Sequence, residues 1–371
     1  MTPNFPAMVK HFAFEGDFIE AQPCGDGHIN DTYAVLFRTA DGAAHRYVMQ
    51  RINHHVFKEP EKLMANMVAV TEHLRRKVIA AGGDVDRETI NLVRAEGGRF
   101  LHRTDEGDYW RAYRFIENAR SYQIAETPRQ LYNAGKAFGR FLCQLADYPV
   151  ETLHETITDF HHTAKRYAAF AEAVRTDVKG RGRSVAREIA FVEARAEETG
   201  ILVDLLAEGR LPLRVTHNDT KLNNILIDDL TGEGICVIDL DTVMPGLALY
   251  DFGDAIRAGA MPAAEDERDL SKVGLDLELF EHYTRGYLEA AGGFLTAREI
   301  DLLPFAAKLI TFEQGMRFLT DYLRGDPYYK IQREHHNLDR ARTQFKMVAD
   351  MEAKFGEMGG IVARYAAGGS G

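Results

Sequence analysis

Residues 214–246 read RVTHNDTKLNNILIDDLTGEGICVIDLDTVMPG and contain two short apolar runs joined by a turn with two glycines. The runs NILID and ICVID have the length and composition of β-strands, so the segment predicts a hairpin. The polar stretch HNDTKLNN precedes the first strand, and DLD follows the second. Because a hairpin folds back on itself, we expect these polar stretches to meet at one end of it.

The two polar stretches together carry the side chains that phosphoryl transfer requires. A carboxylate orients the attacking hydroxyl and accepts its proton, and a lysine neutralises charge on the moving phosphoryl group. Carboxylate and amide oxygens are the hard ligands that Mg²⁺ prefers. We therefore predict Asp219 as the base and Lys221 as the charge-stabilising residue. The predicted metal ligands are Asn224, Asp239 and Asp241.

The spacing within the first stretch agrees with the protein-kinase catalytic loop, H-R-D-L-x-x-x-N. His217, Asp219 and Asn224 occupy those spacings, and Lys221 stands two residues after the aspartate. An isolated His-Asn-Asp triplet is more often a turn or a helix cap. The full pattern, followed by a hairpin that ends in Ile-Asp, is much rarer by chance.

The chain resembles the aminoglycoside phosphotransferase/choline kinase superfamily, whose members have the protein-kinase-like fold and phosphorylate small molecules. HNDTKLNNILID, VIDLDTVMPG and YDFGDAIR (residues 250–257) carry the resemblance, which extends from about residue 25 to about residue 330. It looks closest to the N-acetylhexosamine 1-kinases. That likeness implies ATP and Mg²⁺ as cofactors. It also implies the anomeric hydroxyl of N-acetylglucosamine or N-acetylgalactosamine as acceptor.

YDFGDAIR contains Asp-Phe-Gly, which in protein kinases marks the metal-binding aspartate. Here the residue directly after the second hairpin strand is Asp239, and Asp251 comes too late in the chain for that role. The resemblance implies instead that Asp251, together with His217, braces the catalytic loop. The alternative is that Asp251 caps a helix running through AIRAG.

The distribution of elements predicts an α+β fold with two lobes, and the resemblance implies that this fold is protein-kinase-like. Strand patterns (NDTYAVLFRT, HRYVMQRIN, a hairpin of TINLVRA with RFLHRT, and DYWRAYRFIE) and one helix from Pro60 fill the first 120 residues. Long helical patterns, one of them over residues 185–209, follow. We expect a small β-rich nucleotide-binding lobe at 1–117 and a larger, mainly α-helical catalytic and acceptor-binding lobe at 118–371. A cleft between lobes is a common ligand site.

Two stretches are expected to bind the nucleotide. CGDGHINDTYAV (24–35) puts Gly25 and Gly27 before a strand, where a backbone without side chains can approach phosphates closely. RFIEN (114–118) lies where the β-rich sequence ends. The resemblance implies that this is the hinge that binds adenine, with Phe115, Ile116 and Glu117 as its residues.

The sequence departs from the kinase pattern at the strand lysine of the V-A-I-K type. YVMQRIN has Gln50 at the aligned position, with Arg51 beside it. Alternate strand residues face opposite sides, so only one of the two faces the nucleotide, and the choice is open. The partner glutamate on the next helix is also open, with Glu61 as first candidate.

The segment TFEQGMRFLTDYLRGDPYYK (311–330) is the predicted acceptor wall, with Arg317, Tyr322, Arg324 and Tyr328 among helix-forming residues. The resemblance suggests that Arg317 and Tyr328 contact the sugar or its phosphate. His28, in the glycine-rich loop, is a further candidate for the acceptor site. The alternative is that the wall residues make ordinary surface and core contacts. We interpret three His-His pairs as surface residues: 54–55, 161–162 and 335–336.

Bulk properties limit the partners and the compartment. The net charge of −11 disfavours nucleic acid, which is bound by excess lysine and arginine. The sequence has no long apolar run and no basic-then-apolar N-terminus, so neither a membrane span nor a secretory leader is expected. Three widely spaced cysteines, Cys24, Cys143 and Cys236, suit a reducing cytoplasm.

Two other functions stay open. The acceptor could be an amino alcohol, homoserine or an aminoglycoside; the net charge permits a polycation, but Arg317 and Arg324 argue against one. The chain could also be a non-catalytic nucleotide-binding protein, as the missing strand lysine suggests. The intact set of Asp219, Lys221 and Asn224 argues against this second alternative.

Overall fold

The computed structural model describes residues 3–25 and 29–366, so the predicted positions Gly27 and His28 lie outside the described residues. The strands in these ranges are β1 (Asp17–Pro23), β2 (Asp31–Arg38), β3 (Ala44–Ile52), β4 (His102–Arg103), β5 (Tyr109–Arg114), β6 (Ala119–Arg120), β7 (Arg214–Thr216), β8 (Ile225–Asp228), β9 (Gly234–Val237) and β10 (Met244–Gly246). The helices are α1 (Phe5–Met8), α2 (Pro60–Ala80), α3 (Val85–Glu88), α4 (Pro128–Gln144), α5 (Thr163–Thr176), α6 (Ala186–Glu193), α7 (Ile201–Ala207), α8 (Ala248–Gly259), α9 (Leu277–Ala291), α10 (Ala297–Asp301), α11 (Leu303–Arg324), α12 (His336–Ala353) and α13 (Phe355–Ala366).

The fold is α+β, as predicted, with a small β-rich N-terminal part and a larger helical C-terminal part. An antiparallel sheet of five strands, in the order β1-β2-β3-β5-β4, forms the N-terminal part. A three-stranded sheet, in the order β6-β8-β9, belongs to the helical part. The predicted boundary after residue 117 falls between β5 of the first sheet and β6 of the second.

The register of the N-terminal sheet sets which side chains share its inner face. β2 and β3 are joined by the predicted turn, in which Gly42 has a φ of 86°. Thr32 on β2 lies opposite Gln50 on β3, and Gln50 lies opposite Arg111 on β5. Because directly opposite residues in an antiparallel pair project to the same side, these three side chains form a row across the sheet.

Helix α2 begins at Pro60 as predicted, since proline suits the first turn of a helix. Its buried face carries Met64 and Met67, which pack in one apolar cluster with Val243 from the chain after β9. The Asn66 side chain also donates to the backbone carbonyl of Val243 at 3.0 Å. Helix α2 therefore ties the N-terminal part to the segment that follows the β8–β9 hairpin.

Helices of the C-terminal part approach closely at glycines. A Cβ on Gly286 of α9 would lie 2.0 Å from the carbonyl oxygen of Tyr132 on α4, so only glycine fits. Gly253 of α8 plays the same part, since a Cβ there would lie 2.6 Å from the Ala306 carbonyl oxygen on α11. Phe252 beside it is fully buried against the rings of α9. Phe252 and Gly253 of the Asp-Phe-Gly triplet therefore serve to pack α8 against α9 and α11.

Two predicted elements are wrong. The hairpin of TINLVRA with RFLHRT does not form. Leu92 makes an isolated bridge to Tyr113, and the turn through Gly97 and Gly98, both at positive φ, leads to the two-residue strand β4. The single helix over residues 185–209 is interrupted between α6 and α7 by a 3-10 segment that ends at Gly200. Glycine is a poor helix former, so the helix breaks there. The spacing of the apolar residues continues through the segment and therefore did not indicate the break.

No helix in the described ranges combines the length and the apolar character that crossing a bilayer demands.

Candidate active site

The β8–β9 hairpin forms as predicted and brings its two polar ends together. Ile225 pairs with Val237, and Leu226 pairs with Cys236. At the open end, the Ile238 backbone N–H donates to the Asn224 carbonyl at 2.9 Å. The loop 217–224 and the residues after Ile238 therefore lie side by side.

Asp251, at the start of α8, holds the loop 217–224 from behind. Its carboxylate accepts the backbone N–H groups of His217 at 2.9 Å and Asn218 at 2.7 Å. Asn218 has a φ of 64°, an uncommon conformation for a residue other than glycine, and these bonds maintain it. Asp251 is not a helix cap, because the cap position of α8 is Leu247. Its geometry is that of a brace.

His217 completes the brace from the other side. Its Nε2 lies 2.9 Å from the Ile238 carbonyl oxygen, and its Nδ1 lies 3.2 Å from the backbone nitrogen of Asp219. Thr242 donates its hydroxyl to the His217 carbonyl at 2.7 Å. The backbone around the proposed base is therefore tied to both the hairpin and α8.

Asp251 leads to a prediction about stability and pH. Burial raises the pKa of Asp251 from 3.8 to about 6, against the charge of His217 and two backbone N–H bonds. A carboxyl whose pKa is higher in the folded state contributes stability that is present below pH 4 and lost as the pH rises through 6. The unfolding free energy of the wild type should therefore fall between pH 4 and pH 7 because of Asp251, whereas that of Asp251→Asn should not include this fall. The decrease should be smaller in the variant by on the order of 2–3 kcal/mol.

Urea denaturation at several pH values measures this difference. The matched control is Asp269→Asn, because the pKa of Asp269 is lowered by its bonds to Ser271. Removing that carboxyl should change the pH dependence in the opposite sense. Parallel curves for wild type and Asp251→Asn would contradict the prediction.

The proposed base forms an ion pair within its own loop. Asp219 Oδ1 lies 2.6 Å from Lys221 Nζ, and Asn224 Nδ2 donates to Asp219 Oδ2 at 3.1 Å. Although burial opposes the shift, Lys221 lowers the pKa of Asp219. The same pair raises the pKa of Lys221 above its ordinary value, again against burial. At neutral pH the loop therefore presents a carboxylate and an ammonium group.

Two residues at the open end of the hairpin, Asn224 and Asp239, offer oxygen atoms of the kind that a divalent cation binds. Asp239, at a φ of 58°, follows β9 directly, and its carboxylate is exposed. Enclosure by the surrounding protein and the charges of Asp241 and Asp219 raise its pKa to about 6, so nearby positive charge would favour its ionised form. Asn224 donates through Nδ2, which leaves its Oδ1 for a metal. This donor set is all hard oxygen, as Mg²⁺ requires.

Asp241 is held by the N-terminal part of the chain. Its Oδ2 accepts from Asn30 Nδ2 at 2.5 Å, and its Oδ1 forms a buried ion pair with Arg111. Asn30 is in turn fixed by accepting the backbone N–H of Asn53 at 3.0 Å. Both Asp241 oxygens therefore have partners, whereas the exposed carboxylate of Asp239 has no hydrogen bond or ion pair within the part of the chain that the structure describes.

The side chains of Gln50 and Arg51 point to opposite faces of the N-terminal sheet. Gln50 is buried and donates to Thr32 Oγ1 at 3.0 Å, on the face that holds Asp241. Arg51 faces the other way and binds Asp31 and Asp108. Glu61, the first candidate for the partner glutamate, is exposed in the first turn of α2.

The residues of the proposed hinge contact strand β3, and Gly25 of the glycine-rich stretch has a left-handed backbone. The Phe115 backbone N–H donates to the Arg46 carbonyl at 3.1 Å, and the Arg46 guanidinium stacks 4.0 Å from the Phe115 ring. Ile116 is buried, while the Glu117 side chain pairs with Arg46. Gly25 has a φ of 78°, and no atom of the described residues beyond its chain neighbours would lie within 4 Å of a Cβ placed on it. The left-handed backbone there is a conformation that glycine adopts readily.

The acceptor wall contains a half-buried arginine among aromatic rings. The Arg317 guanidinium lies 5.2 Å from the Phe160 ring and 5.9 Å from the Tyr329 ring. Tyr328 is exposed, with its ring 4.8 Å from that of Tyr329. Tyr322, a predicted wall residue, is instead a buried core residue, because the helical period turns it inward. Arg324 is exposed and donates to the Ala169 carbonyl.

The interpretation of His161 as a surface residue is wrong. It is buried, with Nδ1 2.9 Å from Glu313 Oε1 and Nε2 3.3 Å from the Asn218 carbonyl. Thr163 donates to the other Glu313 oxygen at 2.6 Å. His161 therefore links α11 to the catalytic loop. His336 is buried too, 3.0 Å from Asp266.

Three charged residues near the wall were missed by the sequence analysis. Arg166 donates only to the Phe160 carbonyl among the described residues, at 2.9 Å. Burial and the neighbouring Arg317 charge lower its pKa. Arg257 pairs with Asp254 at 2.8 Å, and its charge acts on both Asp219 and Arg317. Asp254 and Arg257 lie within YDFGDAIR, but the motif does not reveal that the Arg257 charge acts on Asp219 and Arg317, which are distant in sequence.

Comparisons with known proteins agree with this geometry. A family model described as the phosphotransferase enzyme family matches residues 20–294. An aminoglycoside phosphotransferase from Alicyclobacillus acidocaldarius superposes with a TM-score of 0.59 at 11% identity, covering 98% of each chain. A microcompartment-associated aminopropanol kinase superposes with a TM-score of 0.57 at 16% identity, covering 95% of this chain and 97% of that one. An amicoumacin kinase, solved with AMP-PNP and Ca²⁺, gives 0.55 at 13% identity over 92% and 90%.

Proposed function

This chain belongs to the phosphotransferase enzyme family, and from that premise we propose that it transfers a phosphoryl group from ATP to the 1-hydroxyl of an N-acetylhexosamine. In this proposal residues 1–117 bind the nucleotide, and residues 118–371 carry the catalytic loop and the acceptor wall. The wide spacing of the cysteines favours the cytoplasm as the compartment.

The braced loop supplies the chemistry. Asp219 accepts the proton of the attacking hydroxyl, since an ionised carboxylate is available at neutral pH. Lys221, held 2.6 Å from that carboxylate, stabilises charge on the moving phosphoryl group. Asn224 and Asp239 would hold Mg²⁺, with Asp241 beside them. The bound metal would neutralise charge on the phosphates.

The charge balance at the acceptor wall carries the choice of acceptor. Near the wall, Asp254 is paired with Arg257, and Glu313 is hydrogen-bonded to His161 and Thr163. Asp321, on α11 itself, is satisfied by the backbone N–H groups of Tyr328 and Tyr329. Arg166 and Arg317 have no carboxylate partner among the described residues. Two uncompensated guanidinium groups disfavour an amine acceptor, because a like charge held close to them in a partly desolvated site is unfavourable.

The same wall offers what a neutral sugar needs. Phe160, Tyr328 and Tyr329 provide apolar ring faces, and Arg317 provides N–H donors for hydroxyl or amide oxygens. A small number of polar groups on an apolar lining is typical of small-molecule sites. An amino alcohol, homoserine or aminoglycoside acceptor is the alternative within the same family.

A coupled ADP-release assay over a panel of acceptors tests the proposal. We expect kcat/KM for N-acetylglucosamine or N-acetylgalactosamine to exceed that for ethanolamine and aminopropanol by at least ~100-fold, a difference of about 3 kcal/mol. Phosphorus NMR of the product should place the phosphate on the anomeric carbon.

Arginine variants on α11 provide the matched pair for this assay. Arg317→Met should lower kcat/KM for the sugar at least ~10-fold, since it removes a charged donor from the wall. Arg324→Met, on the exposed side of the same helix, should leave it unchanged. Preference for an amine would establish the alternative acceptor, and ATP binding without turnover of any acceptor would favour a non-catalytic protein.

A further inference from the structure

The N-terminal sheet has no lysine at the position where kinases carry one, yet its inner face holds a buried cation. Gln50 occupies the lysine position on β3. Directly opposite, on the neighbouring strand β5, stands Arg111. The Arg111 side chain is completely inaccessible to solvent, which is rare for arginine unless the charge is paired.

The partners of Arg111 account for most of its donors. Its Nε donates to Gln50 Oε1 at 2.9 Å, and its Nη1 forms the ion pair with Asp241. Nη1 also lies 3.3 Å from the Met67 sulfur on α2. Nη2 is buried and has no hydrogen-bond partner among the described residues. A buried donor of a charged group without an acceptor is costly, so a ligand that supplies one would bind favourably.

We propose, on the basis of the function proposed above, that Arg111 replaces the strand lysine from the neighbouring strand. Its guanidinium holds Asp241 against the N-terminal sheet. Its remaining donor group, Nη2, which is enclosed in this structure, binds a phosphate oxygen when the surrounding side chains move apart to admit the nucleotide. A planar fork of several donors can serve both partners at once, whereas a lysine offers a single point charge.

The residues around Arg111 fit this replacement. A lysine at position 50 would place a second cation against the guanidinium, whereas Gln50 accepts a hydrogen bond from it. The helix partner has changed as well. Met64 and Met67 of α2 face Arg111 in place of a glutamate. The anionic partner of Arg111 is Asp241, which is 130 residues away in sequence. One lobe-bridging ion pair thus stands where kinases have a pair within one lobe.

The negative charge near the proposed phosphate site explains why a cation is needed at the position of Arg111. Three carboxylates converge here, those of Asp219, Asp239 and Asp241. Lys221 pairs with the first and Arg111 with the last. Without Arg111, Asp241 would lose its cationic partner and the phosphates would meet an additional unpaired carboxylate.

Nucleotide affinities test the proposal. Dissociation constants of adenosine, ADP and ATP are measured calorimetrically, with Mg²⁺ and again with EDTA. Arg111→Met should weaken ADP and ATP about 10- to 100-fold, as expected for a lost charged hydrogen bond, and change adenosine less than about 2-fold. The matched control is Arg103→Met on the neighbouring strand β4, an exposed arginine whose guanidinium lies 5.4 Å from the Tyr109 ring, which should change none of the three.

Two further variants separate binding from folding. Arg111→Met with Asp241→Asn removes both buried charges, so it should fold normally yet keep the loss of ADP and ATP affinity in EDTA. Arg111→Met with Gln50→Lys returns the lysine to its usual place and should recover part of the loss.

Two outcomes would overturn the assignment. One is wild-type ATP affinity in the charge-neutral double variant. The other is an equal loss of adenosine and ATP, which would make Arg111 structural only. A wild-type protein that binds no ATP would instead refute the proposed function itself.

Discussion

Replacing Asp219 by asparagine should reduce kcat by at least ~10³-fold and leave ATP affinity within about 3-fold of wild type. The amide is nearly isosteric, so the loop bonds to Asp251 and His217 persist. It cannot accept the proton of the acceptor hydroxyl, and it no longer neutralises Lys221. The loss should therefore fall on turnover and spare nucleotide binding. Initial rates of ADP release and calorimetric ATP titration measure the two quantities.

The control for Asp219 is the same change at Asp229, which pairs with Arg120 at the surface. Asp229→Asn should retain wild-type kcat, since a surface ion pair contributes little. Near-normal turnover in Asp219→Asn would refute the assignment of Asp219 as the base. A parallel loss of ATP binding would indicate that the loop has collapsed, which circular dichroism and thermal unfolding would detect.

Replacing Asp239 by asparagine should raise the Mg²⁺ concentration for half-maximal activity at least ~10-fold and lower kcat at saturating Mg²⁺ about 100-fold. Asp239 is the exposed carboxylate at the end of β9, whereas Asp241 is occupied by Arg111 and Asn30. Removing the Asp239 charge leaves the neutral amide of Asn224 without an anionic ligand beside it, so the site should bind a cation more weakly. Activity measured over a Mg²⁺ titration separates weaker metal binding from a slower chemical step.

The same titration on Asp105→Asn, an exposed loop carboxylate, provides the control and should follow the wild-type curve. Equilibrium binding of Mn²⁺, followed by electron paramagnetic resonance, supplies a readout that does not depend on turnover. An unchanged metal dependence in Asp239→Asn would exclude Asp239 as a ligand. A full loss in Asp241→Asn with none in Asp239→Asn would move the metal to Asp241.

The part of the site that could be predicted lies within one local segment. Asp219, Lys221, Asn224 and Asp239 fall within 21 residues, and the hairpin between them is visible as two apolar runs around a turn. Hairpin pairing brings neighbours in sequence together in space. The order of polar residues around the turn was therefore enough to predict which of them would meet.

The acceptor wall was predicted only in part. Spacing along α11 identified Arg317 but also selected Tyr322, which the helical period turns into the core. His161 was assigned to the surface because its partner, Glu313, is 152 residues away. The burial of a histidine cannot be read from its own segment when a distant carboxylate makes that burial favourable.

The sequence by itself determined the β8–β9 hairpin, the meeting of its two polar ends and the α+β class, because each depends on periodicity and on contacts between near neighbours. Tertiary structure alone decided which cation serves the N-terminal sheet. Arg111 is 61 residues from Gln50 and 130 from Asp241, and only strand register and the packing of α2 bring the three together. Directly opposite residues on neighbouring strands have side chains a few ångströms apart on the same face of the sheet. A cation on either strand can therefore occupy the same place, although the two positions are far apart along the chain.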